Sequence, residues 1–571
     1  MTKVLVRKGQ ALQPSSGVRG LGRLLELERR TCPRFSHYWL NLVPPRGAKL
    51  LEEYEVARSK VRIFSLRGDL DLFYHLTPWE YTLDERDTAL VASAVSKVMA
   101  SPPLAPSLDE ADLRRNVRSS ALSDLRAQAR RANALAGMDP RSAEERLSAL
   151  AEVVARYTAG LGLFELMLAD RRLEDIYVDA PCGKNPVHVT LSGLAGRNSV
   201  SRCTTNVLVD EREVRAFVAR MKFHSGRAFS EARPVLETDV PGFGSRATVI
   251  GAPLSPQGLA LALRRHAPEP WTLMRLVHSG LMDCYTAALI SFLVDGRSTL
   301  LVCGPRGAGK SSLLGAILFE FPPGQRVLTI EDTAELPVRQ MQSLGYKVQS
   351  LLIDGATGSL QEERAEEALR VSLRMGESAI ILGEVRGREA QVLYDSMRTG
   401  KAGSSVLGTI HGESARSVYE RVVHDMGIAP EAFQATDAVI ALGLVRPNGS
   451  QRPLRRLVEL TEVVRERPGE FREMLRVRAD GSAELVDPGS DLIRRIACSW
   501  GVGSEQALEN VQARAEMREI LLAAARSRGT EYLSPQWTTR ANSFLWEGLE
   551  EGLGHSEVVD GFMAKVNGGA G

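Results

Sequence analysis

The sequence has no C-x-x-C pair. Its six cysteines, Cys32, Cys182, Cys203, Cys284, Cys303 and Cys498, are scattered along the chain. That pattern speaks against a zinc site and points to buried thiols in a reducing compartment. No apolar run is long enough to span a bilayer, and the opening stretch MTKVLVRKGQ carries no apolar signal core. The expectation is a cytosolic protein whose membrane role would be peripheral. Net charge is also scarce, +2 over 571 residues. Nucleic acid is therefore not favoured as an obligatory partner, although a local basic patch is compatible with that total. No internal repeat is visible. What remains is ordinary for a globular protein, 44% hydrophobic and 25% charged residues, in a chain long enough for more than one domain.

One stretch stands out from this background: Gly304-Pro305-Arg306-Gly307-Ala308-Gly309-Lys310-Ser311. It fits G-x-x-x-x-G-K-[ST], the phosphate-binding loop. Glycines let the backbone wrap closely round a polyphosphate and turn N–H groups inward. Lys310 would reach the β- and γ-phosphates, and the Ser311 hydroxyl would be a ligand of Mg²⁺. The context agrees. The apolar run STLLVC (298–303) reads as a buried strand, and 312–320 reads as a helix whose positive end faces the anion. The binding set is Gly304, Gly307, Ala308, Gly309, Lys310, Ser311 and Ser312, and the ligands are ATP and Mg²⁺.

The rest of the chain divides around this loop. Residues 1–50, basic and punctuated by proline and glycine, read as a flexible or partner-binding arm, with a short helix possible at 24–30. Residues 51–160 read as a small helical subdomain with short strands (VRIFSL, DLFYHL). Its helices fall at 83–99, 108–136 and 141–161, with Asp84 and Ser142 as caps. In 161–266, short apolar pieces (DIYV, PVHVT, SRATVI, LALALRR) surround a helix at 210–223, the pattern of an α+β domain with an antiparallel sheet. Residues 266–270, ending Pro-Glu-Pro, read as a linker. From 271 to 482, helices alternate with buried strands (STLLVC, RVLTIED, AIILGEV, SVLGTIH, AVIALGLV). This is an α/β domain with a largely parallel sheet. Residues 483–571 are helical again, ending in a Gly-rich tail.

Three strand ends in the α/β domain carry candidate chemistry, because ligands in open α/β sheets bind at the carboxyl ends of strands. The first strand, Ala379–Leu382, delivers Glu384. Many such motifs place Asp before the Glu; Gly383 holds that position here. Glu384 would orient or deprotonate the attacking water; the alternative is a carboxylate paired with Arg386. The second end, Glu331-Asp332-Thr333-Ala334-Glu335, crowds three carboxylates. They are either Mg²⁺ partners acting through water or a solvated acidic turn. At the third, His411 follows Gly408-Thr409-Ile410. It is either structural, a sensor of the γ-phosphate or a contact to a neighbouring subunit.

Together and in this order these pieces resemble the secretion and type IV pilus assembly ATPases, the GspE/PilT-like motors. In that family the phosphate loop is followed by an Asp box, a strand ending G-E-x-R-G and a His box. The counterparts here are Glu331-Asp332-Thr333-Ala334-Glu335, Gly383-Glu384-Val385-Arg386-Gly387 and Thr409-Ile410-His411. Asp175-Ile176-Tyr177-Val178, Gly244-Ser245-Arg246 and Leu263-Arg264-Arg265 are similar to the family's N-terminal domain. Leu72-Phe73-Tyr74-His75-Leu76 resembles the archaeal secretion and archaellum branch. The bacterial secretion members' paired-cysteine zinc insert is absent, Gly376-Glu377 stands where the family has Pro-Asp, and residues 342–361 fit the family poorly.

The resemblance implies a RecA-like P-loop NTPase domain behind an α+β domain and a small helical subdomain. It implies a homohexamer, with ATP between the two domains of a subunit and against its neighbour. The partner would be a polytopic membrane platform protein and the place the cytoplasmic membrane, met peripherally. Glu384, Glu331 and His411 would be catalytic, with Arg246 and Arg264 closing on the phosphates and Arg265 a weaker candidate. Asp332 and Glu335 would meet the metal through water. The output would be assembly of a pilus-like filament or secretion, with retraction or DNA pumping in conjugation as the alternative. A nucleotide-gated scaffold with little turnover is the reading from another functional class.

Overall fold

The structure, a computed structural model, describes residues 30–66, 71–101, 110–131, 138–192, 201–265, 269–353, 359–376, 378–387, 389–398, 405–449, 453–478, 482–486 and 490–568. Most of the expected N-terminal arm, linker residues 266–268, Glu377 and tail residues 569–571 lie outside them. The chain forms two compact units, Met1–Pro268 and Glu269–Gly571.

The first unit is built on a nine-stranded sheet. Its order is Val235–Val240, Ser245–Ile250, Ala260–Arg265, Leu173–Val178, His188–Leu191, Ser201–Thr205, Leu72–Thr77, Ser59–Ser65 and Lys49–Val56. Its pairs are antiparallel except for Leu72–Thr77 beside Ser201–Thr205, which run parallel. That one strand pairing carries the sheet across residue 160, so the strands of segment 51–160 and those of 161–266 share one sheet. Alternation sets the faces: Leu261, Leu263 and Ala247 turn into the core, while Arg264 and Arg246 turn out. Three helices, Glu85–Ala100, Glu110–Arg131 and Pro140–Thr158, pack on one another through Val91, Leu125, Leu150 and Val154. Asp84 caps the first, accepting from the Asp87 N–H at 2.8 Å. The third starts earlier than expected. Asp139, not Ser142, is its cap and accepts from the N–H groups of Arg141 and Ser142 at 3.1 and 3.0 Å. Pro140 takes the first helical position, where its missing N–H costs nothing.

The second unit holds nine strands: β1 (Leu300–Cys303), β2 (Arg326–Glu331), β3 (Lys347–Leu352), β4 (Ala379–Leu382), β5 (Ser405–Ile410), β6 (Ala438–Val445), β7 (Leu454–Val463), β8 (Phe471–Val477) and β9 (Ala483–Leu485). They lie in the order β3-β2-β4-β5-β1-β6-β7-β8-β9. The first six are mutually parallel and the last three add antiparallel. Helices cover both faces, which is why β1 and β4 are apolar throughout and β5 is buried at every position. Along β1, Leu300 and Val302 face one helical layer and Leu301 and Cys303 the other. β3 lies in the stretch that fits the family poorly; it is a regular parallel edge strand. The antiparallel extension β7–β9 was not expected. Its residues interleave charged side chains with apolar ones (LRRLVELTEV, FREMLRV) and leave no continuous apolar run to read.

The expected helix after the phosphate loop is Lys310–Ile317, tightening into a 3₁₀ turn at Leu318–Glu320. Glu320 at its far end is fully buried. Its Oε2 accepts from Ser291 Oγ (2.7 Å), Arg518 (2.7 Å) and Asn542 (2.9 Å). This polar cluster fastens the C-terminal helices Ser504–Arg528 and Pro535–Glu550 to the phosphate-loop helix. A buried carboxylate of this kind is offset by the donors on Oε2, while Oε1 is buried with no partner among the described residues.

Candidate active site

The four strands that carry the candidate residues are neighbours, in the order β2-β4-β5-β1. Being parallel, they end on the same side. Register makes the placement specific. Cys303 of β1 pairs with Ile410 of β5, so Gly304 and His411 each follow the same rung. Ile330 of β2 pairs with Leu382 of β4, so Glu331 and Gly383 do likewise.

The phosphate loop is held tightly. Gly304 has φ of 153°, and a Cβ there would sit 2.6 Å from the Leu442 carbonyl of β6; only glycine fits. The Ala308 N–H closes a turn onto the Pro305 carbonyl at 3.2 Å. Gly309, at φ 100°, precedes the helix, and no side chain caps it. The first bond of that helix joins Leu313 N–H to Gly309 at 2.9 Å. The amides of Lys310, Ser311 and Ser312 therefore precede the ladder and remain available to an anion. Lys310 Nζ donates to the carbonyls of Gly304 (2.9 Å) and Pro305 (3.3 Å). Burial pulls its pKa down, and the nearby Glu384 carboxylate opposes that.

Glu384 is the centre of the charged groups. Its Oε1 is 3.0 Å from His411 Nε2 and its Oε2 is 3.7 Å from Arg386. Arg386 also pairs with Asp332, so a chain of contacts runs Asp332–Arg386–Glu384–His411 across β2, β4 and β5. The pairing with Arg386 raised as the alternative for Glu384 is present, and Glu384 meets His411 as well. The His411 pKa is lowered, first by burial and then by Lys310, with Glu384 opposing. The neutral imidazole is favoured, with its Nε2 beside the carboxylate.

The acidic strand end separates into three different environments. Glu331 is buried; its Oε1 accepts from the N–H groups of Glu335 (2.9 Å) and Leu336 (2.8 Å). Its Oε2 is buried with no partner among the described residues. Burial pushes its pKa up to about 7. Asp332 is exposed and turned to Arg386, and Glu335 is exposed. Gly383 lies against Glu331: a Cβ there would be 3.4 Å from Glu331 Cγ. A Cβ at 383 would sit in ordinary contact with the buried acid.

Two further residues belong to the site and were not singled out from the sequence. Glu389 is buried, and its Oε1 accepts from the N–H groups of Arg386 and Gly387, both at 2.8 Å. It thereby fixes the turn that aims Arg386. An acidic residue opening the helix Glu389–Arg398 was the available signal. Arg455 of β7 donates Nε–H to the Gly307 carbonyl at 3.0 Å. Its distance along the chain hid it.

In the first unit, Arg246 and Arg264 lie opposite one another on paired strands. Arg246 is 2.7 Å from Glu237 and Arg264 is 3.9 Å from Asp175. Arg264 is 72% exposed in its side chain. Arg265 is a different case: it donates to the backbone carbonyls of Leu173 (2.9 Å), Asp170 (3.0 Å) and Leu168. Its guanidinium is a local strut.

A parallel sheet covered on both faces, with a phosphate loop following β1 and an acid following β4, defines the second unit as a P-loop NTPase domain of RecA-like fold. The chain belongs to the family described as Type II/IV secretion system protein, whose model matches residues 204–525, more than half of it. A putative conjugal transfer protein of Mycobacterium tuberculosis is 32% identical over 268 residues, 46% of this chain and 72% of that protein. The type IV secretion system protein PtlH of Bordetella pertussis is 28% identical over 211 residues, 33% of this chain and 60% of that one. Among solved structures, the Yersinia pseudotuberculosis ATPase DotB matches with a TM-score of 0.38 at 14% identity, covering 67% of this chain and 92% of DotB.

Proposed function

We propose that this protein is a magnesium-dependent ATPase working as a homohexameric motor for a type IV pilus-like filament or a type II/IV secretion system. The carrying observation is the Glu384 carboxylate, held by His411 at 3.0 Å on the strand-end side that bears the phosphate loop. Family membership supports the same reading.

The residues fit a magnesium nucleoside triphosphate. The loop presents an uncapped helix start and a half-buried ammonium. Ser311 is exposed at the first turn of that helix. No group of three His, Cys, Asp or Glu side chains among the described residues forms a metal cage, so the ion would arrive with the phosphates and be held by Ser311, with Asp332 and Glu335 meeting it through water. Once bound, Mg²⁺ supplies positive charge to the phosphate oxygens. Lys310 exchanges the carbonyls of Gly304 and Pro305 for phosphate oxygens. Glu384 accepts the proton of the attacking water, and His411, beside it at 3.0 Å, keeps that carboxylate in place. Glu331, buried and with its pKa pushed up to about 7, holds the turn that follows β2. Arg246 and Arg264 are assigned to neutralising phosphate charge.

The motor would work at the cytoplasmic membrane, in peripheral contact with a polytopic platform protein. Among the described residues no single helix is long and apolar enough to cross a membrane. Glu384→Gln is the test. It should retain ATP binding and lower turnover about a hundredfold or more; full turnover in that variant would remove Glu384 from its role. A single hexameric species in the presence of MgATP is the expected assembly.

The mycobacterial relative described as a conjugal transfer protein favours a second reading, a motor that pumps DNA. ATPase activity stimulated by DNA and lost steeply with salt would support it. Stimulation by lipid vesicles or a platform protein would support the first.

A further inference from the structure

We propose that Arg455 is a positioning residue of the phosphate loop and presents a second cation to the bound triphosphate. The inference rests on the nucleotide reading given above.

The geometry is specific. Arg455 reaches from β7 to donate Nε–H to the Gly307 carbonyl at 3.0 Å. Its Cδ stands 3.9 Å from where a Cβ on Gly309 would be. The peptide between Gly307 and Ala308 is thus held at both ends. Its carbonyl is bound by Arg455, and its N–H is bound by the Pro305 carbonyl at 3.2 Å. β6, which lies between β1 and β7, contributes the Leu442 carbonyl that abuts Gly304. The β6–β7 pair, with Leu444 opposite Arg455, therefore forms a wall along the loop.

Charge supports the same role. Arg455 is exposed and has no carboxylate partner among the described residues, unlike Arg386, Arg416 and Arg478. A guanidinium carries five N–H donors. One is engaged by Gly307, leaving four for oxygen acceptors. A fixed guanidinium at the loop raises the positive potential there without occupying the inward amides. It also orders a glycine-rich turn before the ligand arrives, which lowers the conformational cost of binding. Lys310 and Arg455 thus have separate tasks: Lys310 can leave its carbonyls for phosphate, whereas Arg455 holds the loop through a carbonyl no phosphate would displace.

The experiment uses the full chain, with fluorescent N-methylanthraniloyl-ATP plus Mg²⁺ for binding and MgATP turnover for kinetics. Arg455→Ala should weaken binding roughly tenfold, the scale of a lost charge-assisted hydrogen bond. The loss in kcat/KM should appear in KM, with kcat nearly unchanged. The melting temperature without nucleotide should match the wild type, while the rise produced by MgATP shrinks. Arg455→Lys should recover part of the affinity. Arg478→Ala, at an exposed arginine just past β8, is the control and should change nothing. Should Arg455→Ala fail to fold, Arg455→Gln decides by the same two readouts. Binding within twofold of wild type in a folded variant overturns the role of Arg455 alone. A wild type that binds no triphosphate overturns the nucleotide reading, and this inference with it.

Discussion

His411 Nε2 stands 3.0 Å from Glu384 Oε1, each residue just past the end of its own strand, β5 and β4. The two strands are parallel neighbours with Leu382 opposite Gly408, so this contact is a product of register. The pair joins the acid to which the proposal gives the proton of the attacking water to an imidazole whose pKa burial and Lys310 lower.

The pair should show in the pH dependence of turnover. His411 titrates below its ordinary 6.5 because burial and the neighbouring cations disfavour its charged form. Activity should therefore persist down past the usual histidine range and fall only as pH drops through the lowered value. His411→Ala should reduce kcat roughly tenfold to a hundredfold with ATP affinity retained, and its acid limb should lose the histidine step. A wild-type limb centred above 6.5 would contradict the assignment.

Glu331 should make stability depend on pH in a stated direction. Its pKa is raised from 4.5 to about 7, chiefly by burial. Below pH 4.5 it is neutral folded and unfolded, and its contribution is complete. Between 4.5 and 7 the unfolded chain ionises while the folded one keeps its proton, so stability declines as pH rises, and above about 7 the loss levels off. The total is on the order of 3 kcal/mol, at about 1.4 kcal/mol per unit. Glu331→Gln can still accept the Glu335 and Leu336 amides and removes the decline. Denaturant unfolding should show the variant gaining on wild type at pH 8 and not at pH 4. Equal differences at both values would refute this.

Gly304 should tolerate no side chain. Gly304→Ala places Cβ 2.6 Å from the Leu442 carbonyl in a backbone region that L-residues avoid. It should cost about 1–3 kcal/mol, lower the melting temperature and abolish tight nucleotide binding. Gly324→Ala, where a Cβ would meet nothing within 4 Å, is the matched control and should be nearly silent.

Much of the second unit was legible because its cues are local. β1, β2, β4, β5 and β6 are apolar runs buried on both faces, and Gly-x-x-x-x-Gly-Lys-Ser states a backbone conformation outright. The less legible elements depend on distant partners. β7–β9 mix charged and apolar residues and resemble many surface strands until β6 gives them an edge. Arg264 and Arg265 are adjacent and chemically identical, yet strand alternation turns one to solvent while the other reaches the carbonyls of Leu173 and Asp170. The Asp139 cap was missed by three positions because Ser142, also a good capping residue, follows it within the first turn of the helix.

The sequence alone determined that a loop able to wrap phosphate follows a buried strand and precedes a helix, and that acids and a histidine close later strands of the same unit. Glycine conformations, apolar runs and motif spacing are properties of neighbouring residues, so they can be read without coordinates. Tertiary structure decided where each acid lies and what it meets. Glu331 lies buried under its own turn, Asp332 faces Arg386, and Glu384 meets His411. Those differences follow from strand order, register and depth in a low-dielectric interior, which no stretch of chain contains by itself.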